Sequence, residues 1–235
     1  MPETEFASRT ASPAAPSYEG FTARRIELAL WEAIVSLEIR PGTRLSEQEI
    51  ADHYRVSRQP VRQALIGLAS KDLVVVLPQR GTIVTRLSTK RLMEARFVRE
   101  AIETAVVRQA CTDFLPASRA YLDTVLAAQA KAAARDNPGA FAQEDQEFHL
   151  TLANGIGCPL AWVGIRDLKA HMDRVTRLIL RGTPWMTFLV QQHTNIVEAI
   201  DQRDPDAAVA AMSDHMAAVV QQLPSAQAEH PDLFD

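Results

Sequence analysis

The chain has 235 residues, of which 47% are hydrophobic and 23% charged, and its formal net charge is −4. This length suits two compact domains, and no uninterrupted apolar run is long enough to span a bilayer, so a soluble protein with no membrane partner is expected. The two cysteines lack metal-knuckle spacing, and residues 1–20 lack the basic start and apolar core of a signal peptide. We therefore expect a cytoplasmic protein whose residues 1–20 form a disordered arm.

The charge is divided unevenly along the chain. Residues 21–92 carry 12 Lys and Arg against 7 Asp and Glu, a net charge of +5, whereas residues 93–235 carry 12 against 19, a net charge of −7. Attraction to phosphate is screened over about 10 Å at 0.1 M salt, so a distant acidic half need not cancel a basic face. The overall negative charge therefore does not exclude nucleic-acid binding by the first part of the chain.

Two short helices are predicted near the start of this basic part. Ser46 and Glu49 form a capping-box pattern, which predicts a helix that ends at about Tyr54. Ser57 can cap a second helix, because apolar residues follow it at three- and four-residue spacing. These apolar positions are Val61, Ala64, Leu65 and Leu68.

The beginning of the second helix carries polar side chains that lie off its apolar stripe, namely Arg58, Gln59 and Arg62. In a helix-turn-helix, this end of the second helix enters the major groove of DNA, where arginine can form two hydrogen bonds to a guanine edge. Arg58 is therefore the first candidate for reading a base.

A β-hairpin is predicted next. The run 73–77 is apolar and rich in β-branched residues, the turn 78–81 reads Pro-Gln-Arg-Gly, and residues 82–85 alternate between polar and apolar. Arg80 lies at the tip, where it can reach a phosphate or the minor groove, although a lone basic residue in a turn can also be merely solvated. Two helices followed by such a hairpin are typical of a winged helix-turn-helix.

The residues quoted above resemble the GntR family of bacterial transcription regulators over residues 21–87. The resemblance is carried by Pro41-Gly42, Leu45-Ser46-Glu47, the run 56–65, Leu73-Val74 and the turn 78–81. It implies DNA contacts by Ser57, Arg58, Gln59, Arg62, Arg80 and Gly81. Gln48 departs from the pattern, because some members of the family carry an additional arginine there.

From residue 88 onward the pattern is helical, with breaks at Pro116, 137–138, 155–159, 182–184 and 204–205. These breaks predict about six helices, which we interpret as one antiparallel bundle over residues 88–222, followed by a loose tail, residues 223–235. The predicted fold is thus mostly α, with a winged helix-turn-helix followed by an all-α bundle.

Four residues of the predicted bundle have the chemistry of metal ligands. Asp145 and His149 are four residues apart and project from one face of a helix, and His193 and His215 lie on two later helices. Three helices of a bundle can direct these groups to one interior point, a set that suits zinc, nickel, iron or manganese. Each histidine taken alone is more often an ordinary core or surface residue.

The bundle also resembles the all-helical effector domain of FadR-type GntR regulators, the FCD domain. The resemblance is carried by Asp145-x-x-Phe148-His149, the run from His193 to Ile200, Ala207-Ala208, His215, and the segment from Arg99 to Glu103. It implies a divalent-metal site, with zinc as the first choice, formed by Asp145, His149, His193 and His215. It also implies an effector pocket that Arg99 faces, and we add His171 and Arg177 as candidate pocket residues.

A guanidinium beside a metal can hold a carboxylate, so small organic acids are the implied effectors. Arg99 can instead form only a surface ion pair with Glu103. We expect a homodimeric transcription regulator, a repressor, that reads a short inverted repeat of double-stranded DNA and responds to such an acid. In one alternative the metal itself is the signal. In another the protein is an all-α metalloenzyme, which we do not expect, since no HExxH pattern or separate general base is recognisable.

Overall fold

The computed structural model describes residues 23–77, 81–179 and 184–235. The predicted arm, residues 1–20, and the predicted wing tip, Arg80, lie outside these ranges. The chain divides into two compact units, residues 1–89 together with 230–235, and residues 90–229. Among the described residues, no helix is long and apolar enough to cross a membrane.

The first unit contains three helices and three short strands in its described part. In chain order these are α1 (Ala23–Val35), β1 (Arg44–Leu45), α2 (Glu47–Tyr54), α3 (Arg58–Ala69), β2 (Val74–Leu77) and β3 (Gly81–Val84). The strands form one antiparallel sheet with β3 in the middle, in which Ile83 pairs with Val75 on one side and with Arg44 on the other. The two predicted helices and the hairpin are confirmed, whereas α1 and β1 were not predicted.

Helices α2 and α3 begin where the sequence indicates. The Ser46 hydroxyl accepts a hydrogen bond from the backbone N–H of Glu49 at 3.3 Å, which confirms the predicted cap. Ser57 occupies the N-cap position of α3 but makes no capping hydrogen bond with its side chain, which corrects the prediction. A serine cap bonds to the second or third N–H of a helix, and the third residue of α3 is Pro60, which has none.

The apolar stripes of these helices form the core of the first unit. Ile26, Leu30 and Ile34 of α1 are buried, as are Ile50 and Ala51 of α2 and the predicted apolar positions of α3. Helix α1 packs against α3, which itself contacts α2 and β2. The N-terminal end of α3 is left at the surface as a result.

Six helices lie between residues 89 and 221, of which 180–183 are not described, and they match the six that the breaks predicted. They are α4 (Thr89–Ala110), α5 (Pro116–Ala134), α6 (Pro138–Gly155), α7 (Pro159–Ile179), α8 (Trp185–Asp201) and α9 (Pro205–Gln221). Proline stands in the first turn of α5, α6 and α9. Asp204 caps α9 by accepting hydrogen bonds from two backbone N–H groups.

Helices α5 and α6 form one close pair and α8 and α9 form another, and α5 also packs against α8. Their facing residues form an apolar core with part of α4, which includes Val107, Leu122, Phe148, Ile196 and Met212. On α6 His149 directly follows Phe148, on α8 His193 lies one turn before Ile196, and all four side chains are buried.

The segment 223–235, which we expected to be a loose tail, is instead packed. Helix α10 (Leu223–Glu229) contacts α7 and α9, and a 3-10 turn follows at Pro231–Leu233. The Leu87 N–H donates to the carbonyl of Leu233 at 2.8 Å, and the Asp235 N–H donates to the carbonyl of Leu87 at 3.2 Å. Leu233 and Phe234 are buried, and this apolar surface explains why the segment packs rather than remaining loose.

Candidate metal centre and nucleic-acid interface

Three imidazoles and one carboxylate meet inside the second unit. Asp145 and His149 come from α6, His193 from α8 and His215 from α9, and one ligand atom from each lies within 4.8 Å of the others. The three histidines are buried. The structure therefore brings together the four side chains to which the family resemblance gave ligand roles, and they form a possible metal site.

The distances between these atoms fit one small cation. Nε2 of His215 lies 3.3 Å from Nε2 of His149 and 3.3 Å from Nε2 of His193. Oδ1 of Asp145 lies 3.6 Å from Nε2 of His193 and 4.0 Å from Nε2 of His149. Metal–nitrogen bonds of about 2.0–2.1 Å place tetrahedral ligands about 3.3–3.4 Å apart, which matches the two distances from His215.

Two further side chains orient the imidazoles. Nδ1 of His193 lies 2.8 Å from Oε1 of Gln129 on α5, and Nδ1 of His149 contacts Oε2 of Glu103 on α4. Such partners on the second ring nitrogen leave the first nitrogen for a metal. Gln129 was missed in the sequence, although an amide at a core-facing position of the stripe Leu122, Val125, Gln129 and Ala132 is a usable signal.

Burial favours the neutral form of His193 and of His215. It lowers the pKa of His193 to about 3, an effect that the nearby Asp145 carboxylate only partly offsets. Burial, together with the neighbouring His193, also holds the pKa of His215 well below its ordinary value. Neutral imidazoles have the free lone pairs that a metal requires.

The acidic groups remain ionised despite their burial. For Glu103 burial alone would raise the pKa, but the Arg99 guanidinium and His149 lower it to about 2. For Asp145 burial is again outweighed, because the Lys169 ammonium and the histidines hold the pKa of that carboxyl well below its usual range. The cluster thus offers one anionic oxygen from Asp145 and two neutral nitrogens from His193 and His215.

A cavity of about 330 Å³ lies beside the cluster. Its polar wall is formed by Arg99, Asp145, Lys169, Asp173, Thr176 and His215, and its apolar wall by Met172, Leu189, Met216 and Val219. Arg99 does pair with Glu103, at 2.6 Å, but both side chains are 5% exposed, so the pair is not the surface ion pair that we considered. Lys169 was not singled out in the sequence.

A second cavity, of about 230 Å³, lies on another side of His149. Apart from Glu103 and His149, its lining is apolar and includes Ile102, Trp162 and Ile165. Because it lacks a cationic side chain, it suits a carboxylate less well than the cavity beside Arg99 and Lys169. His171 and Arg177 line neither cavity. Arg177 instead donates through Nη1 to the carbonyl of Pro138 at 3.0 Å.

In the first unit, Ser57, Arg58, Gln59 and Arg62 are exposed at the start of α3, and Gly81 begins β3 with a φ of +82°. Glu47 on α2 lies 2.7 Å from Arg58 and 3.1 Å from Arg62. Hydrogen bonds from Arg62 and Arg58 lower the pKa of Glu47. Glu47 was assigned no role from the sequence, although it belongs to the motif Leu45-Ser46-Glu47.

Comparison with known families agrees with this architecture. Residues 22–84 match the model of bacterial regulatory proteins of the gntR family, and residues 94–218 match the FCD domain. The chain is 36% identical to the HTH-type transcriptional repressor RspR of Escherichia coli over 201 residues, 86% of this chain and 88% of that protein. It is 29% identical to the gluconate operon transcriptional repressor of Bacillus subtilis over 188 residues, 78% of this chain and 77% of that protein.

Solved structures show the same fold. The structure of McbR/YncC from E. coli has a TM-score of 0.73 at 21% identity and covers 86% of this chain and 98% of that chain. A putative GntR regulator from Rhodococcus has a TM-score of 0.69 at 25% identity, over 86% of this chain and 97% of that chain.

Proposed function

The chain belongs to the gntR family of bacterial regulatory proteins and carries an FCD domain, and on this premise we propose that a small organic acid at a divalent-metal site controls its binding to operator DNA. Its family and its relatives are transcription regulators, so it is a DNA-binding regulator and not an enzyme. The observation that carries the proposal is the meeting of four ligand groups beside a cavity with two buried cations.

The DNA-binding half of the proposal rests on the N-terminal end of α3. Arg58 reads a base in the major groove, while Ser57, Gln59, Arg62 and the wing residues Arg80 and Gly81 contact the DNA around it. A homodimer places two such helices on a short inverted repeat, and the protein acts as a repressor in the cytoplasm. Support comes from the exposed position of α3 and from relatives that are named repressors.

The metal half rests on Asp145, His149, His193 and His215, which would hold the ion. A set of three imidazole nitrogens and one carboxylate oxygen suits zinc best, and nickel, iron and manganese are alternatives. When bound, the ion supplies a Lewis-acid position for a carboxylate oxygen. Arg99 binds the same carboxylate through Nη1, which Glu103 does not engage in this structure.

Acid binding shifts the helical unit between two arrangements and thereby changes DNA affinity, for which about 1 to 3 kcal/mol of differential affinity is sufficient. The test is a thermal-shift screen of metal-loaded protein against small carboxylates, repeated after chelation and followed by operator titrations. An acid at 100 times its dissociation constant adds about 2.7 kcal/mol of stability. The proposal is supported if an acid stabilises the protein only while the metal is bound and also changes its affinity for the operator. It is rejected if no stabilising acid changes the affinity for the operator.

A second candidate function makes the metal itself the signal. It is favoured by the presence of four convergent ligands, because four protein groups are enough to complete a closed zinc site without an acid. In this case operator release follows the free metal concentration and is unchanged by any carboxylate. The same titrations, carried out with buffered metal, separate the two candidates.

A further inference from the structure

Lys169 on α7 is a buried ammonium group held between two carboxylates. Lys169 is 3% exposed, and its Nζ lies 3.0 Å from Oδ2 of Asp145. The same Nζ forms an ion pair with Oδ1 of Asp173. Lys169 and Asp173 both line the cavity of about 330 Å³ beside the metal ligands. Burying a lysine is costly, and here both of its partners face the same cavity.

Among the described residues, the hydrogen-bonding capacity of Lys169 and Asp173 is not used up. An ammonium has three donors, of which one goes to Asp173 and a second lies toward Asp145 at 3.0 Å. Asp173 accepts through Oδ1, while within the described ranges Oδ2 has no hydrogen-bond donor. The cavity wall therefore offers one donor and one anionic acceptor side by side, with the Thr176 hydroxyl one helical turn away.

A hydroxyl group is the simple ligand group that satisfies both, because it accepts from the ammonium and donates to the carboxylate. A keto oxygen only accepts, and a methylene group does neither. An amino group, charged at neutral pH, only donates and would lie beside the Lys169 charge. We propose that the cavity selects carboxylic acids that carry a hydroxyl group, with the hydroxyl on Lys169 and Asp173 and the carboxylate at the Arg99 and metal-ligand end.

The charges of the cavity wall narrow the ligand class further. The cavity wall carries two cations, Arg99 and Lys169, and two carboxylates, Asp145 and Asp173, so a second carboxylate on the ligand would face an acidic group. The class is therefore small hydroxy monocarboxylic acids. This inference rests on the proposed acid control and adds the chemistry of the acid.

The test compares acids that share a carbon skeleton. Calorimetric titrations of the metal-loaded full chain use propionate, lactate, pyruvate and alanine, together with the larger pair hexanoate and gluconate. Hydrogen bonds to charged groups predict that at least one hydroxy acid binds about ten- to a hundredfold more tightly than its unsubstituted partner. Lactate is also expected to bind more tightly than pyruvate and alanine if it is the hydroxy acid that fits.

Two variants localise the preference. In K169M and in D173N, the hydroxy acid is expected to bind only a few-fold more tightly than the unsubstituted acid. Binding of the unsubstituted acid at the Arg99 end persists in both variants. K131M, which changes an exposed lysine on α5, is the control and should keep the wild-type preference for the hydroxy acid. Metal content is measured for each variant, because Lys169 contacts Asp145. D173N, which leaves both Lys169 and Asp145 in place, gives the answer if K169M loses metal or fails to fold.

The outcomes are separable. If acids bind to the wild-type chain without regard to the hydroxyl group, or if K169M and D173N both keep the preference, this inference is overturned while acid control stands. If none of the six acids binds, acid control by this class of ligand is overturned together with the inference.

Discussion

The first and second units both pair arginine with glutamate, but in different surroundings. In the first unit, Glu47 holds Arg58 and Arg62, whose side chains are 56% and 55% exposed. In the second, Arg99 and Glu103 pair at 2.6 Å and are each 5% exposed. Exposed pairs contribute about 0–1 kcal/mol, whereas breaking a buried pair costs about 3–5 kcal/mol. DNA can therefore replace Glu47 as a partner of Arg58, while the pair at Arg99 maintains the shape of the cavity.

The largest expected effect comes from breaking the buried pair. Glu103→Ala leaves the Arg99 guanidinium buried without its nearest carboxylate, so the free energy of unfolding should fall by about 3–5 kcal/mol, measured by denaturant titration. Glu94→Ala on the same helix, which removes the partner of the half-exposed Arg91, is the control and should cost less than about 1 kcal/mol. Equal costs would show that burial does not distinguish the two kinds of pair.

Arg58→Ala tests the exposed side of the comparison. Loss of one bidentate contact to a base should weaken operator binding by about 1–3 kcal/mol and relax specificity at one base position, with little change in protein stability. Arg24→Ala, a change at an exposed position on α1, provides the control in the same gel-shift titration. Unchanged specificity in the Arg58 variant would remove Arg58 from the reading surface.

Gln129→Ala tests whether buried polar groups hold the ligand set in place. Without the contact between Oε1 and Nδ1 of His193, metal affinity should fall by about 10- to 100-fold, measured by competition with a chelator of known affinity. Gln191→Ala on α8 is the control, because Gln191 is exposed and pairs with Asn195. If both variants bind metal as the wild type does, Gln129 has no orienting role.

The smallest effect is expected from Glu47→Gln. Stability should change by less than about 1 kcal/mol, because the ion pairs are exposed. Removing a negative charge next to Arg58 and Arg62 should strengthen non-specific DNA binding and make the slope of log K against log salt steeper by up to about one unit. If neither quantity changes, DNA does not compete with Glu47 for the two arginines.

Much of the fold could be predicted from local patterns. Three patterns each span only a few residues and each correspond to an observed helix boundary. They are the capping box at Ser46, the apolar spacing of α3 and the proline-containing breaks of the bundle. The segment from residue 223 was predicted wrongly because its many polar residues gave no sign that it packs. Four of its apolar residues, Leu223, Ala226, Leu233 and Phe234, are buried against other parts of the chain.

The sequence alone therefore determined α2, α3, the hairpin and the six helices of the bundle, because helix periodicity and caps act over three or four residues. It also indicated the family and the four candidate ligands. Only the tertiary structure decided that Gln129 meets His193, that Lys169 lies between Asp145 and Asp173, and that the pair of Arg99 with Glu103 is buried. Which faces of two helices meet depends on packing between distant segments, for which no short pattern exists.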